Sequence, residues 1–276
     1  MFPPASDPTA PAGAGIRWPP VGSVLTAAAA SLLLLFLLLP VGELVVQGGA
    51  GGLRRLTTDA GLQQALALTA WTATLATAIG VALGTPLAWI LARRRFPGRT
   101  LVSAALDLPL VIPHPVAGIA LLLVFGRESA IGGVLAQAGY GIVSTPLGIV
   151  VGMLFVSAPL YVSGAREAMA RVDRRYESVA QTLGDTPWRA FRRVTLPLAS
   201  RGLLASAVVM WARAVSEFGA IVILVHHPRT VSVLSYDRFT TYGLTEVIPV
   251  AAALVLLALL PLVALRALRR GEERRG

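Results

Sequence analysis

Residues 177–198, ESVAQTLGDTPWRAFRRVTLPL, decide the fold of this chain, because they are polar and rich in arginine although long apolar runs flank them. The whole chain has 276 residues, of which 55% are hydrophobic and 14% are charged. This composition is unusual for a soluble domain, and apolar runs of about 20 residues are typical of transmembrane helices. The sequence therefore predicts an all-α integral membrane protein with one large polar insert.

Six apolar segments predict six transmembrane helices, at roughly residues 23–46, 63–92, 100–125, 145–165, 201–225 and 247–266. The first is too long for the core of a signal peptide, and no small-residue cleavage site precedes a soluble domain. Residues 1–22 are rich in Pro, Ala and Gly and predict a disordered cytoplasmic tail. The membrane domain is expected to cover residues 23–266, with a polar loop at 166–200 and a basic cytoplasmic tail at 267–276.

The distribution of arginine predicts the orientation in the membrane. All 24 basic residues are arginine. With the N-terminus inside, 18 of them lie in the inner segments and 5 in the outer segments, while Arg213 lies within a span. An excess of positive charge marks the cytoplasmic side, so both ends are predicted to be cytoplasmic. Because insertion explains the positive charge, we expect no nucleic-acid partner.

The residues that the chain lacks exclude several kinds of chemistry. It has no lysine, so it cannot carry a phosphate-binding P-loop, and energy from ATP would have to come from another chain. It has no cysteine, which excludes disulfides, thiolate metal sites and cysteine nucleophiles. An intramembrane enzyme would also need a motif such as HExxH or GxSxG, and neither occurs. We therefore expect no catalytic residue, no metal site and no cofactor bound by this chain.

The polar insert predicts two helices joined by a glycine turn. One apolar stripe indicates an amphipathic helix over residues 166–183, drawn by Met169, Val172, Tyr176, Val179 and Leu183.

The turn and the second helix follow from the next residues. Gly184 suits a helix C-terminus with positive φ, and Thr186 and Pro187 suit an N-cap and a first turn. The second helix, WRAFRRV, is expected to end before Pro197 and to present Trp188 and Phe191. Aromatic residues among arginines are typical of a protein docking site, but also of a helix that lies on anionic lipid headgroups. The residues alone leave both readings open.

Two membrane segments carry prolines and charged residues that suit either packing within the protein or a pathway across the membrane. Prolines at 109, 113 and 115 must kink or break the third span, and His114 lies between two of them. Such breaks shape pathways in some transporters but can equally serve packing.

In the fifth span Arg213 and Glu217 lie four residues apart, with Ser216 between them. They either neutralise each other or line the path of an anion. The pathway candidates are Pro113, His114, Pro115, Arg213, Ser216 and Glu217.

The insert resembles the EAA loop of the permeases of ABC importers. The family pattern is EAA, three residues, Gly, nine residues and I-x-L-P, and here Gly184 is followed after nine residues by VTLP at 194–197. The sequence departs from the pattern because Ser178, Val179 and Ala180 stand where EAA is expected, with Glu177 one position early. The resemblance implies a type I importer permease whose loop contacts a separate ATPase. The implied loop residues are Glu177, Ala180, Gly184, Asp185, Trp188, Phe191, Val194, Leu196 and Pro197.

Three further stretches resemble the molybdate/tungstate branch of these permeases: residues 108–127, 211–220 and 230–239. The sulfate permeases share much of this pattern, so a sulfate or thiosulfate permease is the alternative. The resemblance implies a homodimer, two ATPase subunits that hold ATP and Mg, an external oxyanion-binding protein, and contact with membrane lipid. An ATP-independent channel or membrane scaffold is the alternative from a different class.

Overall fold

The computed structural model of the protein describes residues 20–273. These residues form twelve α-helices and one π-helical turn, and no strand occurs among them. The helices are α1 (Pro20–Thr58), α2 (Ala60–Arg93), α3 (Arg99–Val111), α4 (His114–Phe125), α5 (Ala130–Gln137), α6 (Pro146–Ala170), α7 (Arg174–Thr182), α8 (Pro187–Ala190), α9 (Leu196–Val215), α10 (Gly219–Leu224), α11 (Val231–Tyr242) and α12 (Leu244–Glu273), with the π-helical turn at Phe191–Thr195.

The tails predicted from the sequence fall mostly at the limits of the described chain. Residues 1–19 of the predicted N-terminal tail lie outside the described residues, and the first helix already begins at Pro20. In the predicted basic tail the backbone is helical up to Glu273, and residues 274–276 lie outside the described part.

The chain divides into two units, one up to Val46 and one from Gln47 onward. The described part of the first unit is the apolar N-terminal stretch of α1, whose large side chains, such as Leu33 and Phe36, are exposed. An apolar helix with exposed side chains is suited to lipid rather than to water.

Four helices of the described residues are long and apolar enough to cross a membrane: Gly22–Thr58, Ala60–Arg93, Pro146–Ala170 and Pro187–Val215. The pair Arg99–Val111 and His114–Phe125 makes a fifth span if its two bent helices count as one. Leu244–Leu259 is a shorter apolar stretch. Four or five spans are thus evident by length and composition, and the count of six stays a prediction.

The second unit is built on the packing of α2, α6 and α9, where glycines allow close approach. A Cβ at Gly84 would lie 2.9 Å from the ring of Tyr161 on α6, and one at Gly80 would collide with Met210 on α9. Next to Gly84, the hydroxyl groups of Thr85 and Tyr161 share a hydrogen bond of 2.6 Å. The small residues at 80 and 84 therefore allow α2 to lie in close contact with α6 and α9.

Ion pairs hold the segments at one end of this unit. Arg238 on α11 lies 2.6 Å from Asp59, which caps α2, and Arg55 at the end of α1 lies 2.7 Å from Glu246 on α12. By the arginine distribution, this is the end predicted to face outward.

Candidate functional site

The polar insert does not begin with one continuous helix, as the apolar stripe predicted. Helix α6 ends at Ala170, and α7 begins only at Arg174. The interruption has a local cause, because the carboxylate of Asp173 accepts a hydrogen bond from the Arg175 amide and starts a new helix. The predicted apolar stripe is therefore divided between a buried surface and an exposed surface. Met169 and Val172 are buried, whereas the three later residues, Tyr176, Val179 and Leu183, are exposed.

The glycine turn of the insert is confirmed. Gly184 has φ of +98°, a left-handed conformation that residues with a Cβ rarely adopt. The Asp185 amide donates to the Ala180 carbonyl and the Gly184 amide to the Gln181 carbonyl, both at 3.0 Å. These two bonds are those of a Schellman motif, which ends α7 and reverses the chain.

The second helix of the insert begins as predicted but does not end before Pro197. Thr186 caps it by accepting a hydrogen bond from the Arg189 amide, and Pro187 occupies the first turn. The helix then widens into the π-helical turn at 191–195 and continues directly into α9. The expected break is wrong because a wide turn before Pro197 makes room for its ring, which collides with the preceding turn of a regular α-helix.

The two aromatic residues of this helix have different environments. Phe191 is only 2% exposed and packs on Trp89 of α2 with ring centroids 4.8 Å apart, so the prediction that it is presented to a partner is wrong. Trp188 is 51% exposed and stacks on Phe191 at 5.1 Å. Phe191 thus anchors the insert to α2, and Trp188 covers the anchor from outside.

A buried ion pair fastens the insert to the end of α2. The Nε atom of Arg93 lies 2.8 Å from Oε1 of Glu177, and the Thr195 hydroxyl donates to the same oxygen. Arg93 also donates to the Val172 carbonyl at 2.9 Å. Arg174 donates to the carbonyls of Ala92 and Arg93, which a helix C-terminus leaves unpaired. We name Arg93, Arg174, Glu177 and Thr195 the insert joint.

The sequence did not indicate the insert joint. In the sequence Arg93 is recognisable only as one of the inner arginines, and Glu177 only as a displaced motif glutamate. Their contact spans 84 residues of sequence, and no short-range pattern reports such a distance. One indication of a polar contact was present in the sequence, because Thr195 is a polar residue between the apolar residues Val194 and Leu196.

The face of the insert away from the joint is exposed. Large apolar side chains lie on it at Tyr176, Val179, Leu183 and Trp188. Asp185, which is partly buried, pairs with the exposed Arg193 at 3.1 Å across the turn. Of the other predicted loop residues, Ala180, Val194 and Leu196 are partly buried and Pro197 is exposed. The insert is therefore anchored by contacts at its base and apolar on its exposed side.

A second site lies where two helices are broken. The prolines break the predicted third span, so that α3 and α4 are bent by 115°. The predicted fifth span, 201–225, is not one continuous helix. Helix α9 runs from Leu196 to Val215 and is followed by the separate short helix α10.

The helices that follow the two breaks, α4 and α10, pack against each other through glycines. A Cβ at Gly118 would lie 2.7 Å from the Ala220 carbonyl oxygen, and one at Gly219 would lie 2.6 Å from Cβ of His114. Ala117 and Ala220 are fully buried in this contact. The two breaks therefore lie side by side.

The predicted pathway residues meet at this junction. Nη2 of Arg213 lies 2.8 Å from Oε2 of Glu217 and 2.7 Å from Nε2 of His114. The second oxygen of Glu217 accepts from the Ala220 amide at 2.8 Å. Nη1 of Arg213 reaches the Ser216 hydroxyl at 3.5 Å. Pro113 and Pro115 flank His114 at the start of α4.

Both ring nitrogens of His114 lie near Nη2 of Arg213, Nε2 at 2.7 Å and Nδ1 at 3.3 Å. A guanidinium group has only donors, so a ring nitrogen without a proton accepts this contact. Nδ1 is 3.7 Å from Oε2 of Glu217. Among the described residues, no group of three or more acidic or histidine side chains could hold a metal ion.

Comparison with known proteins gives a family match over most of the chain. The model of the family described as "Binding-protein-dependent transport system inner membrane component" matches residues 84–275. The "Molybdate/tungstate transport system permease protein WtpB" of Thermococcus kodakarensis is 42% identical over 71% of this chain and 74% of its own length. The protein of the same name from Pyrococcus furiosus is 39% identical over 78% of this chain and 81% of its own length. The "Sulfate transport system permease protein CysT" of Salmonella typhimurium is 32% identical over 87% and 89% of the two chains.

Solved structures share the fold. A chain of a bacterial ABC transporter "involved in the import of the acidic polysaccharide alginate" aligns with a TM-score of 0.67 at 18% identity, covering 91% of this chain and 95% of that one. A chain of the MetNI methionine ABC transporter aligns with a TM-score of 0.60 at 21% identity, covering 76% and 95%. At these identities the likeness concerns the fold alone.

Proposed function

The chain belongs to the family of binding-protein-dependent transport system inner membrane components, and from this premise we propose that it is the membrane-spanning permease subunit of an ATP-driven importer of molybdate or tungstate. Its fold is that of the permeases of ABC importers. The chain itself performs no covalent chemistry, and the hydrolysis of ATP belongs to a partner.

The identity of the substrate rests on the relatives. Permeases named for molybdate and tungstate are 42% and 39% identical to this chain, whereas a permease named for sulfate is 32% identical. All three anions are tetrahedral and doubly charged, so sulfate is the competitor that an experiment must include. The single observation that carries the proposal is the 42% identity over 71% of the chain.

The free face of the insert supports contact with an ATPase subunit. A docking surface needs apolar anchors on a scaffold that keeps its shape. The insert offers exposed anchors such as Leu183 and Trp188, while Glu177 and Phe191 fix its base. A rigid segment transmits the movement of an ATPase to α2 and α9, which a loose loop would absorb. ATP and Mg are bound by that partner and not by this chain.

The remaining parts of the assembly follow from the proposed role. Both termini and the insert face the cytoplasm, where eight of the chain's arginines lie between Arg166 and Arg201. Two copies of the chain form one pathway in the cell membrane, and each holds one ATPase subunit. An external binding protein delivers the oxyanion to the outer side. ATP and the loaded binding protein together favour one of two states of the pathway.

Reconstitution tests this function directly. The chain is purified with the ATPase and the anion-binding protein of its own organism and placed in vesicles, and uptake of tungstate, molybdate and sulfate is measured with and without ATP. We expect ATP-dependent uptake of tungstate and molybdate and at least about tenfold less sulfate uptake at equal concentration, a difference of 1.4 kcal/mol in selectivity. Uptake without ATP or without the ATPase would contradict the proposal and favour a channel.

A further inference from the structure

We propose that Arg213, Ser216 and His114 form a transient binding site for the transported oxyanion, in which Glu217 is a positioning residue that holds the Arg213 guanidinium in place. This inference rests on the proposed function and gives the anion a defined contact within the membrane domain. It is carried by the hydrogen-bond capacity, the burial and the helix geometry of the junction between the two broken helices.

Some N–H donors of the Arg213 guanidinium make no short hydrogen bond to the described residues. Both of its contacts with charged or aromatic groups, those with Glu217 and His114, use Nη2. Nη1 makes only the long 3.5 Å contact with Ser216, and Nε makes no hydrogen bond to any described residue. Nη1 can therefore donate a single charge-assisted hydrogen bond to an oxyanion beside Ser216, because both bidentate edges of a guanidinium include Nη2, which Glu217 and His114 already occupy.

Burial places the carboxylate behind the guanidinium. The side chain of Glu217 is 1% exposed, whereas those of Arg213 and His114 are 24% and 42% exposed. Both oxygens of Glu217 are occupied by protein donors, Arg213 on one side and the Ala220 amide on the other. An arriving anion thus meets the arginine, the histidine and the Ser216 hydroxyl, and not the carboxylate.

The net charge of the cluster is suited to weak and transient binding of an anion rather than to tight binding. Glu217 neutralises most of the charge of Arg213, so an oxyanion is attracted through aimed donors and only weakly through net charge. A site with a full uncompensated positive charge in a low-dielectric setting would bind a dianion strongly and release it slowly. A weak site between two helix breaks allows the anion to leave when α4 and α10 shift.

A purely structural ion pair would need neither His114 nor Ser216. His114 comes from a different broken helix, its ring lies against Nη2 of Arg213, and its position is fixed by the close contact with Gly219. His114 adds a ring N–H to the exposed side, and the Ser216 hydroxyl, which donates to the Arg213 carbonyl at 3.0 Å, adds a donor when it turns toward the anion.

The test separates a binding role from a structural one. Arg213→Gln alone leaves Glu217 buried without a counter-charge, so it is compared with the double variant Arg213→Gln/Glu217→Gln, in which no unpaired charge remains. Both are reconstituted with the ATPase and the binding protein, and tungstate uptake is measured beside the ATP hydrolysis that loaded binding protein stimulates. The control is Arg55→Gln/Glu246→Gln, which removes another arginine–glutamate pair, one remote in sequence from the junction.

We expect the double variant to take up tungstate at least about tenfold more slowly than the wild type while stimulated ATP hydrolysis stays within about twofold. Arg213→Lys should retain more uptake than Arg213→Gln, and the control should transport normally. Uptake near the wild-type rate in the double variant would overturn the inference and leave a structural pair. Were the wild type itself to move no oxyanion, the proposed function would fall as well, which distinguishes the two failures.

Discussion

The carboxylate of Glu177 lies 2.8 Å from Nε of Arg93, although 84 residues of sequence separate them. One residue starts the exposed part of the insert and the other ends α2, a helix that packs along α6 and α9. Their contact therefore links the insert to the helices at the centre of the second unit. The family motif places a glutamate one position later, so in this chain Glu177 acts as an internal fastening, whatever further contacts the insert makes.

Breaking the insert joint should lower the stability of the chain and uncouple ATP hydrolysis from anion transport. The side chains of Arg93 and Glu177 are only 8% and 12% exposed, so Glu177→Gln leaves a buried arginine without its counter-charge. Breaking such a pair costs about 3–5 kcal/mol. We expect the melting temperature in detergent to fall and more ATP to be hydrolysed per anion transported.

The exposed pair of the insert supplies the matched control for the joint. Arg193 is 70% exposed in its contact with Asp185, and such pairs contribute about 0–1 kcal/mol. Arg193→Gln should leave the melting temperature nearly unchanged. Equal losses of stability in Glu177→Gln and Arg193→Gln would show that the joint is not a fastening.

Gly184 predicts a difference between two substitutions at one position. Valine is strained by about 1–2 kcal/mol in the left-handed conformation at φ of +98°, whereas asparagine adopts it more readily. Apart from the adjoining residues, no atom lies within 4 Å of a Cβ built there, so the cost comes from the local backbone and not from packing against the rest of the chain. Gly184→Val should insert into the membrane normally but uncouple transport, and Gly184→Asn should retain most uptake. Unchanged uptake by Gly184→Val would remove the turn from the coupling mechanism.

Substitution of Phe191 should lower the stability of the chain, whereas substitution of Leu183 should weaken its binding to the ATPase. Phe191 is buried against Trp89, so Phe191→Ala should cost about 3–5 kcal/mol of stability. Leu183 is exposed, so Leu183→Ser should leave the melting temperature unchanged and weaken binding of the ATPase on the order of tenfold. Differential scanning fluorimetry and a pull-down with the purified ATPase measure the two quantities. If Leu183→Ser bound the ATPase normally, the exposed face would be better explained as a lipid contact.

The features that the sequence predicted well have local causes. The cap at Thr186, the proline at 187 and the positive φ of Gly184 each depend on neighbouring residues, and all three are confirmed. The pair of Arg213 and Glu217 was also readable, because four residues of helix place two side chains together.

The features that it did not predict depend on the tertiary structure. The burial of Phe191 requires Trp89 from α2, and nothing in WRAFRRV distinguishes a buried aromatic residue from an exposed one. The end of the fifth span at Val215 was hidden because FGAIVIL continues the apolar run, although the backbone is broken at residues 216–218. His114 could be placed near a helix break from the prolines, but its contact with Arg213 joins segments 99 residues apart.

The predicted orientation can be tested sharply because the wild-type chain contains no cysteine. Single cysteines are introduced as Leu183→Cys in the insert and Tyr140→Cys in the connection between α5 and α6, two exposed positions. Intact cells are treated with a membrane-impermeant maleimide, and labelling is compared with that after permeabilisation.

With 18 arginines on the inner side against 5 on the outer side, we expect Tyr140→Cys to react in intact cells and Leu183→Cys to react only after permeabilisation. The cysteine-free wild type reports the background. Labelling of Leu183→Cys from outside would place the insert on the wrong side of the membrane for an ATPase, and the coupling role would then have to be abandoned.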